Sequence, residues 1–390
     1  MSDERIGRGA WTTTLLLCWA PAAAAGGALA LAPFVALAGL IGAPFRAAPA
    51  LARRGGLPLL FFALFIVWTM LSSAWSPAPK ASLGRLAIGV AAGLALVAAS
   101  AQAGARGRAL IRAATGAAIV MLASLLMIEA LFGMPLNRLA QPDMVDWALA
   151  HNPGTGVAVF LLLAGCGVLA LVTLRLRWLA FCVCACAPYL VFQFDMNANV
   201  VALPVALACA AAAYARPRPT LTVIGASLAA FILIAPLIAR TLPPHPPIEN
   251  DLPFSWDHRL EIWRSSAARI GQAPLFGHGF DSARTMGAPI LIHDARYIAI
   301  PLHPHNIAMQ IWLELGAIGA ILAAAALFTT GRALGERLAR ERAFTATLAG
   351  GVAVYALHAC ISYGMWQEWW VASAFLFAAL LAAQWPRTAP

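Results

Sequence analysis

Residues 159–172 read VFLLLAGCGVLALV, an unbroken apolar run without a charged side chain. With its neighbours from Pro153 to Leu174 it supplies the roughly 20 residues a helix needs to cross the hydrocarbon of a bilayer. There every backbone N–H and C=O must find a partner within the chain, which leaves helices or a closed barrel. The run is continuous and not alternating, so it is a helix. FFALFIVWTML at 61–71 repeats the pattern. Apolar residues make up 62% of the 390 and charged residues only 11%, against about a quarter in soluble domains. The sequence therefore predicts an all-α polytopic membrane protein whose apolar surface faces lipid.

Twelve spans are expected, near 11–26, 28–44, 57–75, 85–101, 110–132, 153–174, 178–194, 198–215, 219–240, 306–330, 343–363 and 369–385. The first two are broken at Gly26-Gly27 and Pro33, and one bent span is the alternative. The N-terminal residues resemble a signal peptide, but the apolar run continues to about Ala43, which favours a retained anchor. The chain divides into residues 1–240 with nine spans, a long outer loop at 241–305, and residues 306–390 with three spans. Small Ala and Gly side chains within the spans permit close helix packing.

The net charge of +10 is explained by topology. With the N-terminus inside, the inner side collects Arg5, Arg8, Arg46, Arg53, Arg54, Arg106, Arg108, Arg112, Arg175, Arg177, Arg216, Arg218, Arg332, Arg337, Arg340, Arg342 and Arg387. Every second loop is basic, as the positive-inside rule requires, and no nucleic-acid partner is needed. The seven cysteines all lie inside apolar runs, with no disulfide framework or CxxC knuckle, and act as small packing residues.

The loop at 241–305 is too long to be structureless. It carries turn signals at PPHPP (243–247) and PLFGHGF (274–280). Residues 257–272 predict an amphipathic helix on the outer leaflet, with Leu260, Trp263, Ala267 and Ile270 on one stripe. Arg259 and Arg264 flank that stripe at headgroup depth.

Chemistry concentrates where this loop meets the next span, in IPLHPHNIAMQIWLELGAIGA (300–320). Pro304 and Asn306 suit a helix start, which places His305 beside a helix N-terminus. The helix dipole disfavours imidazolium there and attracts anions, so a neutral imidazole base and a phosphate site would share one spot. A polar residue anchoring a helix end is the other reading of the same spacing. Arg259, Arg264, Arg240 and Arg296 offer planar forks for phosphate oxygens, or simply reach toward headgroups. His303, His305, His278, His293 and Asp294 supply zinc-type ligands, but no spacing fixes a ligand set, and no metal is expected. Glu314 lies on the helix face opposite His305 and suits a structural hydrogen-bonded role. Glu129 sits about one turn from the outer end of its span, within reach of water. Asp143, Asp146 and Asp195 belong to short outer loops. No Walker loop, GxSxG or strand-borne GxGxxG is present, which argues against a cytoplasmic nucleotide enzyme.

His305-Asn306, nine residues, then Gly316 and Gly319 resemble the signature of the O-antigen ligase and polymerase family. In that family His is followed by Asn, Ser or Gln, nine residues, Gly, two residues, then Gly, Thr or Tyr. RLEIWRSSAARIGQAPLFGHGF (259–280) is similar to the family's RxxxW…PlxGxGxxxF, through Arg259, Trp263, Pro274, Gly277, Gly279 and Phe280. WTMLSSAWSPAPKASLGRL (68–86) resembles its early SxxWSpdPxxSL segment, through Ser73, Trp75, Ser76 and Pro77. The resemblance implies a membrane-embedded glycosyltransferase of the C-type fold in the bacterial inner membrane. Its donor would be a glycan on undecaprenyl diphosphate, its acceptor a sugar hydroxyl of lipid A-core or another glycan, its active site periplasmic. It implies His305 as the base and Arg259 on the diphosphate, with His303 and Asn306 beside them in the substrate-binding set. The diphosphate is a good leaving group, so no metal or cofactor is demanded, and one-step displacement inverts the anomeric centre.

One departure stands out. Family members carry Ser-Arg-Gly at an outer span edge before the long loop, and this chain reads FDMNANV (194–200) there. Asn197 or Asn199 can donate hydrogen bonds, while Arg264, Arg138 or Arg85 are candidate replacements for the charge. A polymerase or a protein O-glycosylating enzyme of the same family is the nearest alternative. A secondary transporter is the alternative of another class, although transporters spread polar groups over two halves.

Overall fold

The computed structural model describes residues 6–43, 56–242, 254–292 and 295–386. Helices dominate: α1 (Arg8–Ala25), α2 (Leu31–Gly42), α3 (Gly56–Ser72), α4 (Ala81–Ala101), α5 (Ala105–Leu131), the short α6 (Pro135–Ala140) and α7 (Asp146–Thr173). They continue with α8 (Arg177–Leu190), α9 (Asn197–Ala215), α10 (Pro217–Thr241), α11 (Phe254–Ile270), α12 (Ile307–Arg337), α13 (Arg342–Ile361) and α14 (Glu368–Ala383). Among the described residues, α4, α5, α7, α9, α10, α12 and α13 are long and apolar enough to cross a membrane. The chain is thus a polytopic, all-helical membrane protein. α2, α3, α8 and α14 are shorter apolar helices. A helix stands in each of the twelve stretches read as spans, and length and composition carry seven of them across. Arg5, Arg46, Arg53, Arg54, Arg387, His293, Asp294 and the prolines at 243–247 lie outside the described residues.

α7 is the most buried of the long apolar helices. Its Phe160, Leu162 and Leu171 join one core with residues of α1, α5, α13 and α14. A second core gathers Phe65 of α3, Ile232 and Ala235 of α10, and Met309 and Ile311 of α12. α11 belongs to this second core: Ala267 and Ile270 are buried in it, with Ile262 and Ser266 also buried. The expected outer-leaflet helix therefore begins at Phe254 instead of 257 and packs on the protein. Its buried stripe runs through Ile262 and Ser266 as well as Ala267 and Ile270, because α10 and α12 provide an apolar partner where the sequence suggested lipid. Two elements of the outer surface were not anticipated. α6 is capped by Glu129, and β1 (Pro289–Ile292) pairs antiparallel with β2 (Ala295–Ile298), Pro289 opposite Ile298.

α12 starts at a built cap and then breaks. The Asn306 side chain accepts the Met309 N–H at 3.1 Å, satisfying an orphan donor of the first turn. At Gly316 the backbone turns to φ 63°, ψ −164°, interrupting the helix. A break at membrane depth is tolerated where the freed backbone groups find protein partners, and five of them do here. The N–H of Ala317 donates to Pro274 O at 2.9 Å and that of Ile318 to Leu275 O at 3.4 Å. The carbonyls of Leu313 and Glu314 accept from His278 N at 2.9 Å and Gly279 N at 2.8 Å. The Leu315 carbonyl accepts from Trp68 Nε1 at 3.0 Å.

The PLFGHGF loop thus threads into the broken helix, at a closeness only glycine permits. A Cβ on Gly277 would lie 2.4 Å from Glu314 C, and one on Gly316 2.3 Å from Leu275 O. The other side of the loop is held by the early Ser-Trp-Ser segment. Trp75 Nε1 donates to Gly277 O at 3.2 Å, Ser76 Oγ to Phe280 O at 2.6 Å, and Phe280 N to Ser72 Oγ at 3.1 Å. Three stretches far apart in sequence form one clamp around the base of α12.

Candidate active site

His305 precedes the cap of α12 and takes a left-handed backbone, φ 52°. Three contacts fix it. Trp263 Nε1 of α11 donates to Pro304 O at 2.9 Å. The backbone N–H of His305 donates to His303 Nδ1 at 3.1 Å. Its ring Nδ1 lies 2.6 Å from the carbonyl of Ser362, in the turn between α13 and α14. A carbonyl only accepts, so Nδ1 carries the proton and Nε2 keeps its lone pair. Gly364 in the same turn makes room for the His303 ring, since a Cβ there would lie 2.7 Å from it.

Burial pulls His305 down from its ordinary 6.5 to about 4, with Arg259 and His258 adding to the effect and the Ser362 carbonyl opposing it. His303 falls to about 3, mainly by burial, then through His305 and Arg284. Both rings are neutral at neutral pH. The sequence pointed to the helix dipole as the cause; the structure assigns the largest part to burial.

His305, His303 and Arg259 line one cavity of about 500 Å³ together with Asn197. Its other walls come from the α1–α2 turn (Gly27, Leu29), the start of α7 (His151, Asn152), the α8–α9 turn (Asp195) and the α13–α14 turn (Ser362, Gln367). In the alternating topology expected from the sequence, all of these ends fall on one side. The Arg259 guanidinium sits 5.5 Å from the centroid of Trp256, a second aromatic wall of the cavity, and burial lowers its pKa. As an arginine it stays cationic.

Several expected residues are placed elsewhere. Arg264 pairs with Glu261 at 2.6 Å and lines a separate recess with Arg240. Five residues on, helical periodicity turns it about 140° from Arg259, away from the cavity. Arg85 pairs with Glu368 at 2.8 Å and lines a different recess between α2, α4 and α14. Arg138 pairs with Asp146 at 3.0 Å. Asn306 is occupied as the cap of α12 and does not line the cavity. Asn199 is buried: its amide donates to Gly154 O at 2.9 Å and its Oδ1 meets His358 Nε2 at 2.9 Å. Glu129 does not reach water. It is fully buried and accepts from the Leu136 and Asn137 backbone N–H groups and the Asn137 amide. Glu314 is also fully buried, accepting from Gln310 Nε2 at 3.0 Å, Asp281 N at 2.9 Å and the Trp366 indole.

Ser362, Gln367, Gly364, Trp256 and His151 were missed. Each is an ordinary span-edge residue in sequence and gains meaning only where the turns meet. No group of three His, Cys, Asp or Glu among the described residues is placed to hold a metal ion.

Residues 149–324 match a family model described as O-antigen ligase. Over this segment the chain is similar to the O-antigen ligase family. The matched segment runs from the start of α7 into α12 and contains Arg259, His303, His305 and the broken helix. Proteins of Rickettsia felis and Rickettsia conorii named "Putative polysaccharide ligase" are each 32% identical over 157 residues, 39% of this chain and 38% of the relative. One of Rickettsia typhi is 31% identical over 165 residues, 41% of this chain and 40% of the relative. The chain therefore spans about two-fifths of the length of these curated relatives. No solved structure matches it.

Proposed function

We propose that the protein is a glycosyltransferase that moves a glycan from undecaprenyl diphosphate to a sugar hydroxyl of lipid A-core. It would act with a C-type membrane-embedded fold at the periplasmic face of the bacterial inner membrane. The observation that carries this is His305 itself: a half-buried, neutral imidazole, with Nδ1 occupied by Ser362, lining one cavity with Arg259. In a single displacement the acceptor oxygen attacks the anomeric carbon and His305 Nε2 takes its proton. The bond to the diphosphate breaks with its electron pair leaving on oxygen, and the configuration inverts. Arg259 meets the charge that grows on the diphosphate. No step calls for a metal or cofactor, because the leaving group is already good.

The α8–α9 turn presents Asp195 and Asn197 to the cavity where family members carry arginine. This favours, as a second reading, a polymerase that joins glycan repeats or an enzyme that glycosylates protein. Lipopolysaccharide gels of a deletion strain separate them: all O-chain lost from the core marks a ligase, a single repeat left on the core marks a polymerase. For the chemistry, purified His305→Ala supplied with lipid-linked donor is expected to lose transfer by about 10²- to 10⁴-fold. Undiminished transfer ends the assignment of the base, and uptake of substrate by liposomes in its place marks a transporter.

A further inference from the structure

Beside the His305 cavity, and sharing Leu29 and Trp369 with it, lies a second recess of about 430 Å³ between α2, α4 and α14. Its deeper walls are apolar: Val35, Leu86, Ile88 and Val371. Its rim is polar and lies at the outer ends of the helices, with Ser82 and Arg85 on the first turns of α4 and Glu368 opening α14. Asp281 and Arg284 close the rim from the loop side. From Ser82 to Gly89, α4 descends about 10 Å at 1.5 Å per residue, the depth of a headgroup and the first acyl carbons.

The rim charges are paired, Arg85 Nε with Glu368 at 2.8 Å and Arg284 Nε with Asp281 at 3.1 Å. Two guanidiniums balanced by two carboxylates leave no net charge for a diphosphate. They do offer alternating donors and acceptors, which is what sugar hydroxyls require. Trp366 and Trp369 add aromatic faces beside them. A polar, uncharged-in-sum rim over an apolar floor fits an amphiphile whose head is a sugar.

We propose that this recess seats the acceptor as a lipid-anchored sugar, its acyl chain against α2 and α4 and its head passing Leu29 and Trp369 toward His305. This rests on the glycan-transfer function above and adds that the acceptor enters from the membrane, on a different face from the Arg259 side. Arg85 is then an acceptor contact and does not replace the missing donor arginine.

Gly89 provides the test. It lines the recess, and a Cβ there meets nothing within 4 Å, so Gly89→Leu fills the recess without disturbing the helix. Gly84 on the same helix also has open space and lies off the recess, so Gly84→Leu is the control. Full-length protein in nanodiscs is given polyprenyl-diphosphate glycan with either lipid A-core or the same core stripped of acyl chains. Gly89→Leu is expected to raise KM for lipid A-core about tenfold, leaving donor KM and the rate on the stripped core unchanged. Gly84→Leu should behave as wild type. An unchanged acceptor KM overturns the proposal, as does a rise in donor KM, which would give the recess to the donor. A lipid A-core probe with a diazirine on its acyl chain tests the recess without catalysis. Labelling of α2 and α4 that is lost in Gly89→Leu supports it, and labelling spread equally over α9 and α10 overturns it. Absence of transfer by wild type to any acceptor would refute the glycan-transfer function, with the labelling result still deciding the recess.

Discussion

The base proposed at His305 must meet two demands that normally conflict: it must be neutral at working pH and yet aimed. Burial supplies the first and the Ser362 carbonyl the second, at 2.6 Å. With its pKa near 4, transfer is expected to stay flat from about pH 6 to 8 and to fall along an acid limb near 4. A limb at the ordinary 6.5 would contradict the geometry. Arg259 helps hold the pKa down, so Arg259→Gln should move the acid limb of the residual activity upward. Stability follows the same titration. Between 6.5 and about 4 the unfolded chain binds a proton that the folded chain refuses, so stability is fully present above pH 6.5 and is lost toward pH 4. A thermal midpoint that rises on acidification through this window would be inconsistent with a neutral His305 ring. The sequence showed His305 and Arg259 as residues of the right type at a span edge. It did not show Ser362 as a partner, because 57 residues separate them in the chain.

At the scale of elements, the break in α12 is the feature on which the position of His305 depends. Four of its backbone N–H and C=O groups are satisfied by the PLFGHGF loop seated in the gap, and the Leu315 carbonyl by Trp68. Gly316→Ala puts a methyl 2.3 Å from Leu275 O at a positive φ, and is expected to destabilise the protein by more than about 2 kcal/mol. A thermal midpoint within a degree of wild type would show that the clamp is loose. Glu314→Gln replaces an acceptor oxygen by an N–H₂ facing donors from Gln310, Asp281 or Trp366. A loss of about 1–3 kcal/mol is expected, measured by thermal unfolding in detergent. The pattern of glycines was legible in the sequence as a motif, but its physical meaning was not. A glycine nine residues after Asn306 says nothing about which carbonyl will lie against it. The stripe on α11 was legible too, yet its partner proved to be α10 and α12.

At the scale of the whole molecule, the His305 cavity is walled by α11, the loop before α12 and helix ends that the expected alternating topology puts on one side. That makes the topology testable apart from any activity. In a cysteine-free background, Asp195→Cys is expected to react with a membrane-impermeant maleimide applied from the periplasm, and Arg108→Cys only after the inner membrane is opened. The reverse pattern would turn the cavity to the cytoplasm and exclude a periplasmic transferase. Two neighbouring recesses, one around Arg259 and His305 and one beneath Arg85 and Glu368, would let the two substrates proposed above meet without sharing a path.

Composition and hydropathy alone determined that this chain is a bundle of membrane helices, because lipid leaves the backbone no other way to satisfy its polar groups. The spacing of basic loops set its expected orientation, and local motifs marked His305 and Arg259. Which arginines face the histidine was decided by tertiary structure. Arg264 and Arg85 are as basic in sequence as Arg259, but helix rotation and local carboxylates turn them into other recesses. The tautomer of the base, the lining of its cavity and the threaded glycine loop depend on contacts between residues tens to hundreds of positions apart, and such contacts exist only once the helices have packed.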